Sequence, residues 1–285
     1  MQTVLCFTVC LCFIYPKHAK SQTAFEKALT SKVDSLLAPV VKAPTQTEPP
    51  KKTRNELYPN DAMQTVMSPT GWGGFGTYLF GGLGGAYPEV YHSSKPDLIT
   101  SAGACTGNPI KAVNFAASLN MTDVHRFRNF SGNFILSRML FRGTSVSIGG
   151  LQLFANNNQS DAPGSTYYIA FSHAVQTLLS KTPGCSKLSY TIGIGSGRFL
   201  YKSPKDIAAG KGKYGTAVFG SISYELFRHV NVGAEWTGMN LGFSLGIRPF
   251  KNALSIGIGA ANLTSYSSDK PNMVLSIGYP LSLNR

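Results

Sequence analysis

The sequence predicts an all-β chain: an antiparallel up-and-down transmembrane β-barrel of about twelve strands, preceded by a signal peptide and a flexible N-terminal segment. Three observations predict it. Apolar residues recur at every second position, as where Met239, Leu241, Phe243, Leu245 and Ile247 alternate with Asn240, Gly242, Ser244, Gly246 and Arg248. Successive side chains of a strand point to opposite faces, so this period reads as strand. The second face is Gly, Ser, Ala and Asn instead of the Lys and Glu that a soluble sheet turns to water, which suits a wall between lipid and a lumen. Finally, long connections alternate with short ones.

The totals agree. Charged residues make up 14% of the 285 residues, against roughly 25% in soluble domains. Beyond the N-terminus no run approaches the roughly 20 apolar residues of a membrane helix. The net charge of +13 sits mainly in connections and the N-terminal region, with no basic stripe interleaved with stacking aromatics. That excludes a nucleic-acid surface and points to anionic headgroups or anionic solutes.

In chain order, the apolar stretch from Val4 to Tyr15 has the length of a signal-peptide core, and Ala19-Lys20-Ser21 fits a cleavage site, so residues 1–21 read as a signal peptide. Three of the five cysteines leave with it; Cys105 and Cys185 remain, as one disulfide or two thiols. Residues 22–70 read as a short amphipathic helix (Ala24–Leu37) and a Pro-rich periplasmic tether or plug (Pro39–Pro50 and beyond), a segment suited to a periplasmic protein partner. Residues 71–285 read as the barrel.

Its expected strands are Gly76–Val90, Leu98–Thr106, Lys111–Met121, Asn133–Phe141, Ser145–Ala155, Thr166–Leu178, Lys187–Phe199, Thr216–Leu226, Val230–Thr237, Met239–Ile247, Leu254–Leu263 and Met273–Leu281. Their core lengths are near the 9–11 residues that a tilted membrane strand needs. In Ser145–Ala155 the apolar set changes phase near Gly149-Gly150, which reads as a bulge.

On this pattern, with aromatics such as Tyr201, Tyr224, Trp236, Tyr266 and Tyr279 near strand ends, the region from about Gly71 to Arg285 resembles bacterial outer-membrane β-barrel proteins. The resemblance implies a Gram-negative outer membrane, contact with its lipid, aromatic girdles at the headgroup level, and both barrel termini in the periplasm. One feature departs from it: such barrels often end in an aromatic residue, and this chain ends Ser282-Leu283-Asn284-Arg285.

For function the sequence offers few groups. Glu225, Glu235 and Arg248, with Asn240 and Ser244, fall on the small-residue face of consecutive strands and are the lumen-facing candidates, either a charge-selective constriction or a brace for the wall. Lys202, Lys205, Lys211 and Lys213 are the basic outer-loop candidates. His173 lies on the apolar phase, but its neighbour Ser172 faces the other way, so no catalytic set is expected. No CxxC or HExxH motif exists, and the glycine clusters match no phosphate-binding fingerprint, so no metal or cofactor is expected. Small residues on the lumen face leave free volume. The expected function is therefore a non-enzymatic, porin-like channel passing small hydrophilic or anionic solutes passively or with weak selectivity. The alternatives are a non-conducting scaffold that binds periplasmic or surface partners, a barrel-type lipid-modifying enzyme, and a soluble secreted β-sandwich.

Overall fold

The structure, a computed structural model, describes residues 56–88, 97–124, 127–155, 165–249, 253–267 and 270–282. The expected signal peptide, the Ala24–Leu37 helix and most of the Pro-rich segment lie outside the described residues, as do His92, His125 and Phe250.

Among the described residues there are fourteen strands: β1 (Tyr58–Pro59), β2 (Tyr78–Tyr87), β3 (Asp97–Gly107), β4 (Asn114–Asp123), β5 (Arg128–Met139), β6 (Thr144–Leu153), β7 (Thr166–Ala174), β8 (Cys185–Ser186), β9 (Leu188–Gly195), β10 (Val218–Phe227), β11 (Val230–Trp236), β12 (Leu241–Ile247), β13 (Ser255–Ala261) and β14 (Asn272–Ser282). Twelve of them form one closed barrel, in which each strand pairs antiparallel with its chain neighbours and β14 pairs with β2, from Met273↔Tyr87 to Ser282↔Tyr78. These twelve match the expected segments one for one. β1 and β8 form a separate two-residue parallel pair. A short helix α1 (Pro204–Ala208) lies in the β9–β10 connection. The soluble β-sandwich is thereby excluded.

Closure removes the sheet edges that an open sheet would present. The phase change in β6 is a bulge: Phe134 pairs with Gly150 but Gly132 with Leu153, and Gln152 takes φ +52° to absorb the extra residue. Around the wall, one set of alternate residues is exposed and apolar, including Leu83, Leu119, Ile148, Ile192, Ile222, Phe243 and Leu275. A continuous apolar band of this kind far exceeds the roughly 300–600 Å² patch of a soluble monomer, so its solvent is lipid. The architecture is that of an outer-membrane β-barrel.

The inward face holds a packed core. Call the end where β2 begins and β14 finishes the terminal end, and the opposite one the far end. Residues 56–76 enter at the terminal end, climb inside the wall, turn near residues 65–68 and descend to β2; almost all of them are buried. At entry, Leu57 exchanges two 2.9 Å hydrogen bonds with the Gln176 side chain, and the Tyr58 N–H donates to the Gly184 carbonyl at 3.1 Å. Asn60 and Asn231 exchange side-chain hydrogen bonds of 2.9 and 2.7 Å. On the way down, Ser147 Oγ donates to the Thr70 carbonyl at 2.7 Å, Gly71 N–H to Ser172 Oγ at 2.7 Å, and Gly74 N–H to Asn114 Oδ1 at 3.1 Å.

Small wall residues are what let the segment lie so close. A Cβ on Gly246 would run into the Met63 backbone, one on Gly242 into the Met67 side chain, and one on Gly73 of the segment into Ser137 Oγ. Met63, Val66 and Met67 then pack with Ala86, Ile99 and Val274, and Trp72 and Phe75 with Met139 and Ala174. The remaining lumen is occupied by Tyr78, Phe80, Tyr168, Phe219 and Phe199, the last two stacked with centroids 4.4 Å apart.

The expectation of free volume on the lumen face is therefore corrected. Glycine and serine line the wall because another stretch of the same chain is seated on them.

Candidate functional site

The structure gives each of the lumen-facing candidates, read as a constriction or a brace, its own local partners. Glu235 is buried, and its carboxylate accepts the N–H groups of Val66, Met67 and Ser68 at 2.7, 3.0 and 2.7 Å, with Ser244 as a further hydrogen-bond partner. Glu225 is also buried and accepts the Lys181 N–H at 3.2 Å in the β7–β9 connection. Arg248 sits 3.5 Å from Asp61 Oδ2, while Asp61 Oδ1 is 2.7 Å from His229 Nδ1. Burial draws the Arg248 guanidinium below its usual range, and Asp61 opposes that shift. Asn240, buried at the far end, receives Ser267 N–H at 3.2 Å and Thr264 Oγ1 at 3.0 Å, donates to the Ser267 carbonyl, and so pins the last far-end loop. These groups hold the inner segment and the loops; they do not ring an opening.

Of the basic candidates, Lys202 lies in the β9–β10 connection, is buried, and donates to the carbonyls of Lys211 (2.8 Å) and Tyr266 (2.9 Å). Lys211 pairs with Asp206 at 3.5 Å. Lys213 is exposed, and the Lys205 side chain lies outside the described residues. No disulfide joins Cys105 to Cys185. Among the described residues no group of three His, Cys, Asp or Glu is placed to hold a metal.

One polar constellation lies on the outer wall. His173 stands on β7 in phase with the lipid-facing Tyr167 and Phe171, and its register partners are Thr144 on β6 and Tyr190 on β9. His173 Nδ1 and Thr144 Oγ1 are 2.8 Å apart. The Tyr190 ring packs 5.4 Å from the imidazole at 48°, limiting its rotation. The tight β5–β6 turn sets this register. Arg142 and Gly143 take φ +43° and +67°, and the Gly143 N–H donates to Glu56 Oε1 at 2.5 Å.

Ser172 points inward, where its hydroxyl pairs with Gly71 N–H and with Thr191 Oγ1 at 2.6 Å, so the sequence-adjacent hydroxyl is the wrong partner for His173. The right one is 29 positions away in the chain. A hydroxyl hydrogen-bonded to an imidazole at a lipid boundary is the pairing needed to activate an oxygen nucleophile. The pair lies near the terminal-end rim, at the first residue of β6 and the penultimate residue of β7.

No protein-family model matches the chain, and no curated protein sequence does. Among solved structures it is similar to outer membrane phospholipase A from Escherichia coli, at 12% identity and TM-score 0.37, covering 84% of this chain and 95% of that one. An active-site mutant of the same enzyme gives 13% and 0.36 over the same shares. The calcium-bound outer membrane phospholipase dimer of Salmonella typhi gives 10% and 0.37, covering 73% of this chain and 91% of that one. At these identities and TM-scores the likeness carries no argument about what this chain does.

The expectation of a non-enzymatic channel does not stand. The lumen through which solutes were to pass is occupied by residues 56–76 and the aromatic core.

Proposed function

We propose that this barrel acts on membrane lipid at its outer wall, as a lipid-ester hydrolase in which His173 and Thr144 are the reacting pair. The observation that supports the reading is their 2.8 Å hydrogen bond on the lipid-facing side of a barrel whose interior is filled. With both termini in the periplasm, the pair stands near the headgroups of the periplasmic leaflet, where an ester linkage lies close to the water it needs.

The chemistry follows from the two groups. His173 Nδ1 takes the Thr144 hydroxyl proton as Oγ1 forms a bond to the ester carbonyl carbon. The C–O bond to the lysolipid oxygen breaks, and the imidazolium returns its proton to that oxygen. Water then attacks the acylated Thr144, again with His173 as base, releasing fatty acid and restoring the hydroxyl. Tyr190 keeps the imidazole in line with β6.

The protein reconstituted in phosphatidylcholine vesicles should release fatty acid from the lipid. His173→Ala and Thr144→Val should each reduce that release about a hundredfold or more, and Thr144→Ser should retain it. A folded wild-type barrel that releases no fatty acid, or a Thr144→Val variant as active as wild type, refutes the assignment.

A further inference from the structure

The far-end connection between β9 and β10 builds a ledge on the opposite rim from His173. Tyr201 and Tyr214 form an isolated antiparallel bridge, with ring centroids 5.6 Å apart. The Lys213 ammonium stands 5.5 Å from the Tyr214 ring and 6.0 Å from that of Tyr201. Beside them, the Trp236 and Tyr266 rings lie 6.1 Å apart, and the buried Lys202 ammonium sits 3.7 Å over Tyr266. Trp236 Nε1 donates to Thr216 Oγ1 at 3.0 Å, tying the two pairs together.

Directly below, on the lipid side, are the exposed Val218, Leu241 and Leu263. The ledge therefore lies where the apolar belt ends, with Tyr214 and Tyr266 open to the surroundings. Among the described residues, the carboxylate of Asp206 in the same connection is engaged by Lys211, Ser203 and Ser267. Cations braced on aromatic faces at the edge of a hydrocarbon layer match an acyl-anchored phosphate in both height and charge.

We propose that this ledge binds the phosphate of an anionic lipid headgroup, with Lys213 as the principal contact and Lys202 reinforcing its field from beneath. The lipid, as opposed to free phosphate, is the source that the adjoining apolar belt favours. The site is independent of the hydrolase reading: it needs no catalysis, and its loss leaves His173 untouched.

The experiment uses tryptophan emission of the full-length protein in phosphatidylcholine vesicles. The chain has 2 tryptophans; Trp72 is enclosed in the lumen, so acyl-brominated lipid quenches Trp236. At equal mole fraction, brominated phosphatidic acid should associate about fivefold more strongly than brominated phosphatidylcholine, the effect of one lysine near an anionic surface. Lys213→Gln should abolish the preference while keeping the heat-dependent gel shift of a folded barrel, and Lys213→Arg should keep it. Equal quenching by the two lipids in wild type, or a preference unchanged in Lys213→Gln, overturns the proposal. Loss of the preference on adding inorganic phosphate at constant ionic strength assigns the site to free phosphate and overturns the lipid source.

Discussion

Replacing Glu235 by alanine tests the claim that the lumen is a core held by specific contacts. In the wild type, one carboxylate satisfies three consecutive backbone N–H groups at the tip of the inner segment. Those amides have no helix or sheet ladder of their own, because residues 65–68 belong to no strand. Each buried N–H left without an acceptor costs about 1–3 kcal/mol, and water admitted to the gap recovers part of it, giving about 3–6 kcal/mol for the three together. At the middle of that range the tip opens roughly a thousandfold more often. Hydrogen exchange followed by mass spectrometry reads this directly: peptides covering residues 62–70 should exchange about a thousandfold faster in Glu235→Ala, while the β-strand peptides stay protected. Glu235→Gln keeps one acceptor oxygen and should fall between. If Glu235→Ala forms a closed barrel whose tip exchanges as slowly as wild type, Glu235 does not hold the segment.

Three further outcomes follow from the same geometry. In planar bilayers the wild type should show no conductance steps, and deleting residues 57–75 should produce them; a wild type that conducts contradicts the filled lumen. Gly246→Val places a side chain against the Met63 backbone and should cost about 1–3 kcal/mol in denaturant unfolding, whereas Leu275→Val on the lipid face should cost less than about 1.5 kcal/mol. The Thr144→Val and His173→Ala variants should unfold at the same denaturant concentration as wild type to within about 1 kcal/mol, since their side chains face outward; a large loss would make the pair a structural brace.

The barrel was legible because its signal is local. A two-residue period needs only a strand's own residues, and all twelve barrel strands came from it, including the weakly patterned Gly76–Val90 and the bulge in β6. The interior was not legible for the opposite reason. A glycine with empty space beside it and a glycine with Met63 lying on it are the same letter, and the partners Val66 and Glu235 stand 169 positions apart. The outer-wall pair was hidden by the same non-locality. The sequence placed His173 correctly on the lipid face, but its hydroxyl partner came from the next strand, through a turn whose positive φ values set the register. Lys202 falls in a loop, as the sequence indicates, but its burial depends on the Tyr266 carbonyl 64 positions away, which no local pattern shows.

The filled lumen gives this protein two apolar phases governed by different surroundings. The outer belt is stable only while an amphiphile covers it, and its free energy changes with acyl length and detergent. The inner core of Met63, Val66, Met67, Trp72 and Phe199 meets no lipid and packs as the interior of a water-soluble protein does. Exchanging one detergent for another should therefore move the stability of the wall and leave that of the core unchanged. A partially denatured state would be a persistent inner cluster tethered to an unzipped sheet, in contrast to a hollow pore, whose only strong cohesion is the hydrogen-bonded wall itself.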